Sequence, residues 1–189
     1  PAVRPADMKP MKMFVWTGDP QQLKILRDLG YDPVGLETEN ILPSLMTGAI
    51  NVVPVPPFLA NAAQYTKYVR HMVDINWAPI VGAAVVQREV WEKIPAALRP
   101  KLLAAAAKEG ELLRQQMRAE DDAAIVAMEH NQRHPLTVHR VTPAIAAEWR
   151  ALVENVYPDV RGTMVPAELF DRVQKHLAEF RAANGSTQP

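Results

Sequence analysis

The sequence contains no cysteine and only 8 glycines in 189 residues. Without cysteine, thiol catalysis, cysteine-ligated zinc and disulfide bonds are excluded. Its 21 basic and 21 acidic residues cancel, and no long basic run occurs, which argues against nucleic acid or an anionic membrane as the main partner. No apolar stretch approaches the roughly 20 residues that a membrane-spanning helix needs.

The chain also lacks the motifs of common enzymes. Ser44, Thr17 and Thr47 have no histidine at a motif spacing, and neither a nucleophile elbow nor a glycine-rich phosphate loop is present. His130, His134 and His139 share one loop and strand with Glu129 close by, so a metal site is conceivable, but their spacing fits no helical ligand pair. We therefore predict no catalytic residue, no metal and no cofactor.

The first part of the chain predicts a strand, a helix and a second strand. Residues 11–16 are short and mostly apolar, and Asp19 followed by Pro20 is typical of a helix start. Gly30 should end this helix in a left-handed conformation, and a second strand should cover residues 32–36. A chain that is 48% hydrophobic can bury the core that such a unit requires.

The same alternation continues and predicts an α/β fold with a mostly parallel sheet flanked by helices. The helix over 99–130 would be about 48 Å long and should bridge two bodies. The other predicted elements are a helix capped by Thr38 and ended by Gly48, strands over 49–55, 71–75, 78–86 and 137–141, and helices over 59–68, 88–94, 143–157 and 166–183.

Four segments together resemble a known family. They are PADMKPMKMFVW, LRDLGYDPVGL, LMTGAI and WEKIPAALRPKLLAAAAKEGELL, in this order along the chain. In order and spacing they resemble the solute-binding proteins of tripartite ATP-independent periplasmic (TRAP) transporters of the DctP type. The resemblance extends over residues 5–180.

This resemblance implies a periplasmic-binding-protein type II-like fold, in which two lobes close on a small organic solute and deliver it to a membrane permease. Residues 1–77 and 130–189 would form the second lobe. Residues 78–129 would supply a crossover strand and the long helix to a first lobe that is largely missing from the chain. The implied location is the periplasm, and self-association by exchange of the crossing segment between two chains is a further expectation.

Two positions depart from the family pattern. Phe14 stands where relatives carry an arginine that pairs with a ligand carboxylate, and Val55 stands where they carry an asparagine. We therefore expect a carboxylate-related solute that is partly apolar. The predicted ligand-binding residues are Phe14, Trp16, Thr38, Val55, Pro56, Asn76 and Trp77.

Alternative functions remain open at this stage. A receptor of the same fold can present its ligand to a signalling protein instead of a permease, whereas a hydrolase would need a nucleophile and base that the motifs do not supply. Glu37 and Glu39 follow the second strand, on the usual ligand side of such a sheet, but neither is among the ligand residues that we predict. Asp121 and Asp122 are expected on a solvated helix face.

Overall fold

The computed structural model describes residues 2–76 and 82–184, which are mostly helical. Strands β1 to β4 cover Lys12–Trp16, Asp32–Leu36, His71–Asp74 and Thr137–Arg140. Helices α1 to α9 cover Pro5–Met8, Pro20–Asp28, Ile41–Thr47, Pro57–Ala62, Arg88–Lys93, Arg99–Glu129, Pro143–Glu154, Tyr157–Val160 and Ala167–Asn184. Short 3-10 turns occupy Thr38–Asn40 and Tyr65–Lys67.

The strands pair in parallel, as the alternation of strands and helices predicted. β1 pairs with β2 so that Lys12 lies opposite Asp32 and Trp16 opposite Leu36. β3 pairs with β4 in the same sense. The α/β fold class is confirmed, but the described strands form two small sheets of two strands each instead of one larger sheet.

Contacts along the chain divide it into two compact units. The first unit contains Pro1–Pro54, His71–Asn76 and Thr137–Pro189, and the second contains Val55–Arg70 and Trp77–Leu136. These bounds differ from the predicted lobes mainly in placing residues 55–70 with the long helix. The assignment of the lobes themselves stays a prediction.

The core of the first unit lies against one face of β1. Met13 and Val15 alternate along the strand and are buried with Leu26 of α2 and with Tyr31. Because side chains alternate across a strand, Phe14 and Trp16 project from the opposite face. The side chains of β1 that face away from this core are therefore Phe14 and Trp16.

Helix α2 connects β1 to β2 along the chain, and local sequence signals define its two ends. The Asp19 carboxylate accepts a hydrogen bond from the Gln22 backbone N–H at 2.9 Å, and Pro20 occupies the first turn. Gly30 follows the helix with a φ of 81°, a conformation that costs glycine little. The predicted start and end of α2 are thus confirmed.

The second unit is built on the packing of α4 against the C-terminal half of α6. Ala124 and Met128 of α6 are buried, as is Tyr65 in the turn after α4. The Asp121 carboxylate accepts a hydrogen bond at 2.9 Å from the Phe58 backbone N–H, in the first turn of α4. Asp121 therefore caps α4 from another helix, and the expectation that it only faces solvent was wrong.

The N-terminal half of α6 is exposed over most of its length. Leu103 and Leu113 have exposed fractions of 61% and 55%, and the space around Gly110 is open. Gly110 lies seven positions after Leu103 and three before Leu113, so the three residues share one side of the helix. That side carries an apolar surface without a packing partner in the described chain.

The strand predicted over 49–55 is reduced to a single bridge between Val52 and Met13. The Lys12 backbone N–H donates to the Asn51 side chain at 2.8 Å, so a side chain takes the place of the next backbone acceptor. Pro54 and Pro56 then lack the N–H groups that a longer ladder requires.

Three further predictions need correction or lie outside the structure. The helix that Thr38 was expected to cap begins at Ile41, because residues Thr38–Asn40 form a 3-10 turn and the Thr38 side chain makes no cap. The helix expected over 59–68 ends at Ala62, before Gln64 with its left-handed φ of 57°. In the segment 78–86, residues 78–81 lie outside the described residues and 82–86 contain no strand.

None of the helices in the described part of the chain is both long enough and apolar enough to cross a bilayer.

Removing the Asp121 cap should weaken the second unit. We expect Asp121→Ala to lower its unfolding free energy by about 1 kcal/mol, since the Phe58 N–H loses its acceptor. Asp122→Ala is the matched control, because Asp122 is exposed on the same helix. Urea denaturation of both variants measures the difference, and equal midpoints would contradict the capping role.

Candidate solute-binding site

The carboxyl ends of β1 and β2 meet at one edge, where parallel α/β sheets usually bind ligands. The Thr17 backbone N–H donates to the Leu36 carbonyl at 3.2 Å, so the pairing continues just past β1. Trp16 and Glu37, from the ends of the two strands, are thereby brought side by side. We call Trp16, Thr17, Gly18 and Glu37 the indole edge.

Hydrogen bonds fix the indole of Trp16 in this edge. Its Nε1–H donates to Glu37 Oε2 at 3.2 Å, and the Thr17 hydroxyl donates to the other carboxylate oxygen, Oε1. Both oxygens of Glu37 thus accept hydrogen bonds, one from the last residue of β1 and one from the residue after it. The carboxylate orients the indole without belonging to an ion pair among the described residues.

Gly18 makes room for the ring. A β carbon at this position would lie 2.3 Å from two ring atoms of Trp16 and 2.5 Å from a third, so the six-membered ring lies against the glycine. Trp16 nevertheless has an exposed fraction of 53%. One face of the indole therefore covers Gly18, and the other is open.

The other predicted ligand residues are placed differently. Phe14 lies on the same face of β1 as Trp16 but is only 9% exposed, and its N–H donates to the Val52 carbonyl at 2.9 Å. Thr38 is exposed directly after Glu37, and Asn76 is exposed two residues after β3 ends. Their roles as ligand contacts stay predictions.

Val55 and Pro56 are half-buried and belong to the second compact unit. Trp77 lies outside the described residues. Their predicted contact with the ligand stays a prediction.

Sequence reasoning missed the contributions of Thr17 and Gly18. The only available signal was the run Trp-Thr-Gly-Asp at the end of a predicted strand, in which a glycine follows a large aromatic residue by two positions. Glu37 was expected on the ligand side of the sheet, but its bond to the indole was not foreseen.

The histidines make separate contacts. His130 Nδ1 lies 2.8 Å from the Val126 carbonyl of its own helix, and His134 Nδ1 lies 3.0 Å from the Arg70 guanidinium. His139 is 3.0 Å from His71 across β3 and β4. In residues 2–76 and 82–184, no three or more histidine, aspartate or glutamate side chains cluster as a metal site would require.

A shallow surface depression of about 360 Å³ is lined by Lys9, Tyr31 and Leu152, among others. Lys9 and Tyr31 precede β1 and β2, so this depression lies at the amino ends of the strands. Ligand sites of parallel sheets form at the other end. The indole edge is the better candidate.

Comparison with known proteins identifies the family. The family model of the bacterial extracellular solute-binding proteins of family 7, the DctP family, matches residues 1–163. The chain belongs to this family. The predicted resemblance is confirmed, whereas no curated protein sequence matches the chain.

Solved structures of this family share the fold. A TRAP periplasmic solute-binding protein of Ochrobactrum anthropi, with bound L-fuconate, is 20% identical in sequence to this chain and has a TM-score of 0.74. The match covers 94% of this chain and 56% of that protein. A second, from Citrobacter koseri in an apo, open structure, is 19% identical with a TM-score of 0.71, covering 96% of this chain and 57% of its own. The predicted periplasmic-binding-protein fold is confirmed.

A third similar structure is an extracytoplasmic solute receptor of Bordetella pertussis that binds pyroglutamic acid. It is 19% identical with a TM-score of 0.67, and the match covers 86% of this chain and 52% of the receptor. The chain thus spans about half the length of these solved relatives, which are substrate-binding receptors.

Substituting Gly18 should release the indole. In Gly18→Ala the new methyl group overlaps the ring, so we expect the Trp16 side chain to swing away and lose its bond to Glu37 while the strand pairing remains. The indole N–H resonance in a ¹H–¹⁵N NMR spectrum, assigned with Trp16→Phe, measures this change.

The control is Gly82→Ala, because the space around Gly82 is open. It should leave the Trp16 resonance in place. An unchanged Trp16 resonance in Gly18→Ala would contradict the packing of the ring on Gly18.

Proposed function

We propose that this chain is part of a periplasmic receptor that captures a small organic solute for a TRAP-type membrane permease. The observation that carries the proposal is the indole edge: an oriented, half-exposed tryptophan at the carboxyl ends of parallel strands, in a chain of family 7. A single open wall binds weakly, so the solute is enclosed when a second lobe closes on it.

The solute we propose is carboxylate-related and partly apolar. The named ligands of the solved relatives, L-fuconate and pyroglutamic acid, are small organic acids. In this chain the wall offers the half-exposed ring of Trp16, and a buried phenylalanine takes the place of an arginine at position 14, so an acid group would be held by residues elsewhere. The chain would act as a binding protein and not as an enzyme.

The lobe arrangement is part of the same proposal. Residues 1–77 and 130–189 would form one lobe, and the exposed half of α6 would pack against the other, because Leu103 and Leu113 are apolar and uncovered. The solved relatives are long enough to supply such a second body, since this chain matches 56% and 57% of two of them. If two copies met instead, they would cover the same surface by exchanging this segment.

The proposal predicts that Trp16 contributes to solute affinity. We expect Trp16→Ala to weaken binding about tenfold, since the open face of the indole is lost. The measurement is calorimetric titration of the complete gene product with a panel of small carboxylates that includes L-fuconate and pyroglutamate.

Val173→Ala is the control, because Val173 is 55% exposed on α9 and is not a residue of the indole edge. It should bind as the parent protein does. Binding that survives Trp16→Ala unchanged would move the site elsewhere, and a panel without any binder would count against the receptor function.

Gly110→Ala reports on the uncovered face of α6. In the 189-residue chain this substitution should raise the free energy of unfolding by about 1 kcal/mol, because alanine favours a helix more than glycine does and the space around position 110 is open. If a second lobe or a second copy packs there, the added methyl group should remove the gain in the assembled protein. Thermal unfolding of both forms, with light scattering to give the number of copies, measures this.

A loss of stability in the isolated monomer would contradict the open helix face. An equal gain in the assembled protein would contradict packing against position 110.

A further inference from the structure

The open face of the Trp16 indole is suited to a cation. The ring is covered on one side by Gly18 and is 53% exposed overall, so a solute group can approach its other side. The face of an aromatic ring carries partial negative charge, and tryptophan attracts ammonium and guanidinium groups more strongly than the other aromatic residues.

The Glu37 carboxylate adds a full negative charge next to this ring. Its oxygens accept the Trp16 Nε1–H and the Thr17 hydroxyl, which leaves about half of the roughly four acceptor positions of a carboxylate free. Glu37 is exposed and forms no ion pair with any described residue. Its charge is therefore available to a group that enters from solvent.

No basic side chain neutralises this charge within the indole edge. Phe14, on the same face of β1, supplies a buried ring instead. In a closed crevice, a carboxylate that is removed from water without a positive partner is costly. A solute that placed its own carboxylate here would add repulsion, whereas a cation would pair with Glu37 and stack on Trp16.

Granted the proposed function, on which this depends, we infer that the solute group facing the indole edge is a cation, such as a quaternary ammonium, amine or guanidinium. With an acid group held by other residues, the solute is then zwitterionic. Glu37 and Trp16 select it by charge and by stacking.

Two probes of equal shape test this inference. They are 4-trimethylammoniobutyrate and 5,5-dimethylhexanoate, in which a neutral carbon replaces the positive nitrogen. Calorimetric titration of the complete gene product at low salt should show the ammonium probe binding at least about tenfold more tightly. In Glu37→Gln this preference should fall to about twofold.

Glu39→Gln is the matched control. Glu39 is exposed, lies two residues after Glu37 and makes no bond to the indole, so the substitution removes one negative charge from outside the indole edge. It should keep the preference for the ammonium probe. Trp16→Phe should weaken the binding of both probes, and that of the ammonium probe more, since phenylalanine is the poorer partner of a cation.

The outcomes separate this inference from the proposed function. Equal or tighter binding of the neutral-tailed probe, or an unchanged preference in Glu37→Gln, would overturn the inference. So would failure of both probes to bind while other small carboxylates bind and Trp16→Ala weakens them, and in that case the receptor function would stand. If no small solute binds at all, both the inference and the proposed receptor function are contradicted.

Discussion

The parallel pairing of β1 with β2 is the constraint on which the site depends. The register sets Trp16 opposite Leu36, so the residues that follow the two strands meet at one edge. The same register turns Met13 and Val15 toward α2 and leaves Phe14 and Trp16 on the other face. A slip of one residue would exchange these faces and separate the indole from Glu37.

Burial of Met13 and Val15 among Leu26 and Tyr31 makes such a slip unfavourable, since apolar side chains would be returned to water. The core therefore holds the geometry of the indole edge even though the edge itself is exposed. An exposed tryptophan is usually mobile, but here Glu37, Thr17 and Gly18 restrict it. A preorganised ring binds a solute with less loss of conformational entropy.

The chain shares its fold with solved relatives, two of which hold the small organic acids L-fuconate and pyroglutamic acid. Phe14 and Trp16 are aromatic and Glu37 is acidic, whereas the family resemblance leads us to expect an arginine at position 14. Fold similarity below 25% identity does not carry ligand identity across, because specificity is set by a few side chains at the edge. The solute is therefore better argued from Trp16 and Glu37 than from relatives.

Local signals in the sequence predicted much of the fold. Asp19, Pro20 and Gly30 defined α2 because caps act within a few residues, and apolar runs located β1 and β2. Features that join distant residues could not be predicted in this way. Capping of α4 by Asp121 and the contact of Trp16 with Glu37 span 63 and 21 residues of sequence.

The most direct test of the central claim follows Trp16 during solute binding. Protein labelled with 5-fluorotryptophan gives ¹⁹F NMR signals that can be assigned by replacing single tryptophans, and Trp149, which is 5% exposed in the same unit, serves as an internal reference. We predict that a bound solute shifts the Trp16 signal strongly and the Trp149 signal little. A saturating solute that leaves the Trp16 signal unmoved would contradict the assignment of the indole edge as the binding wall.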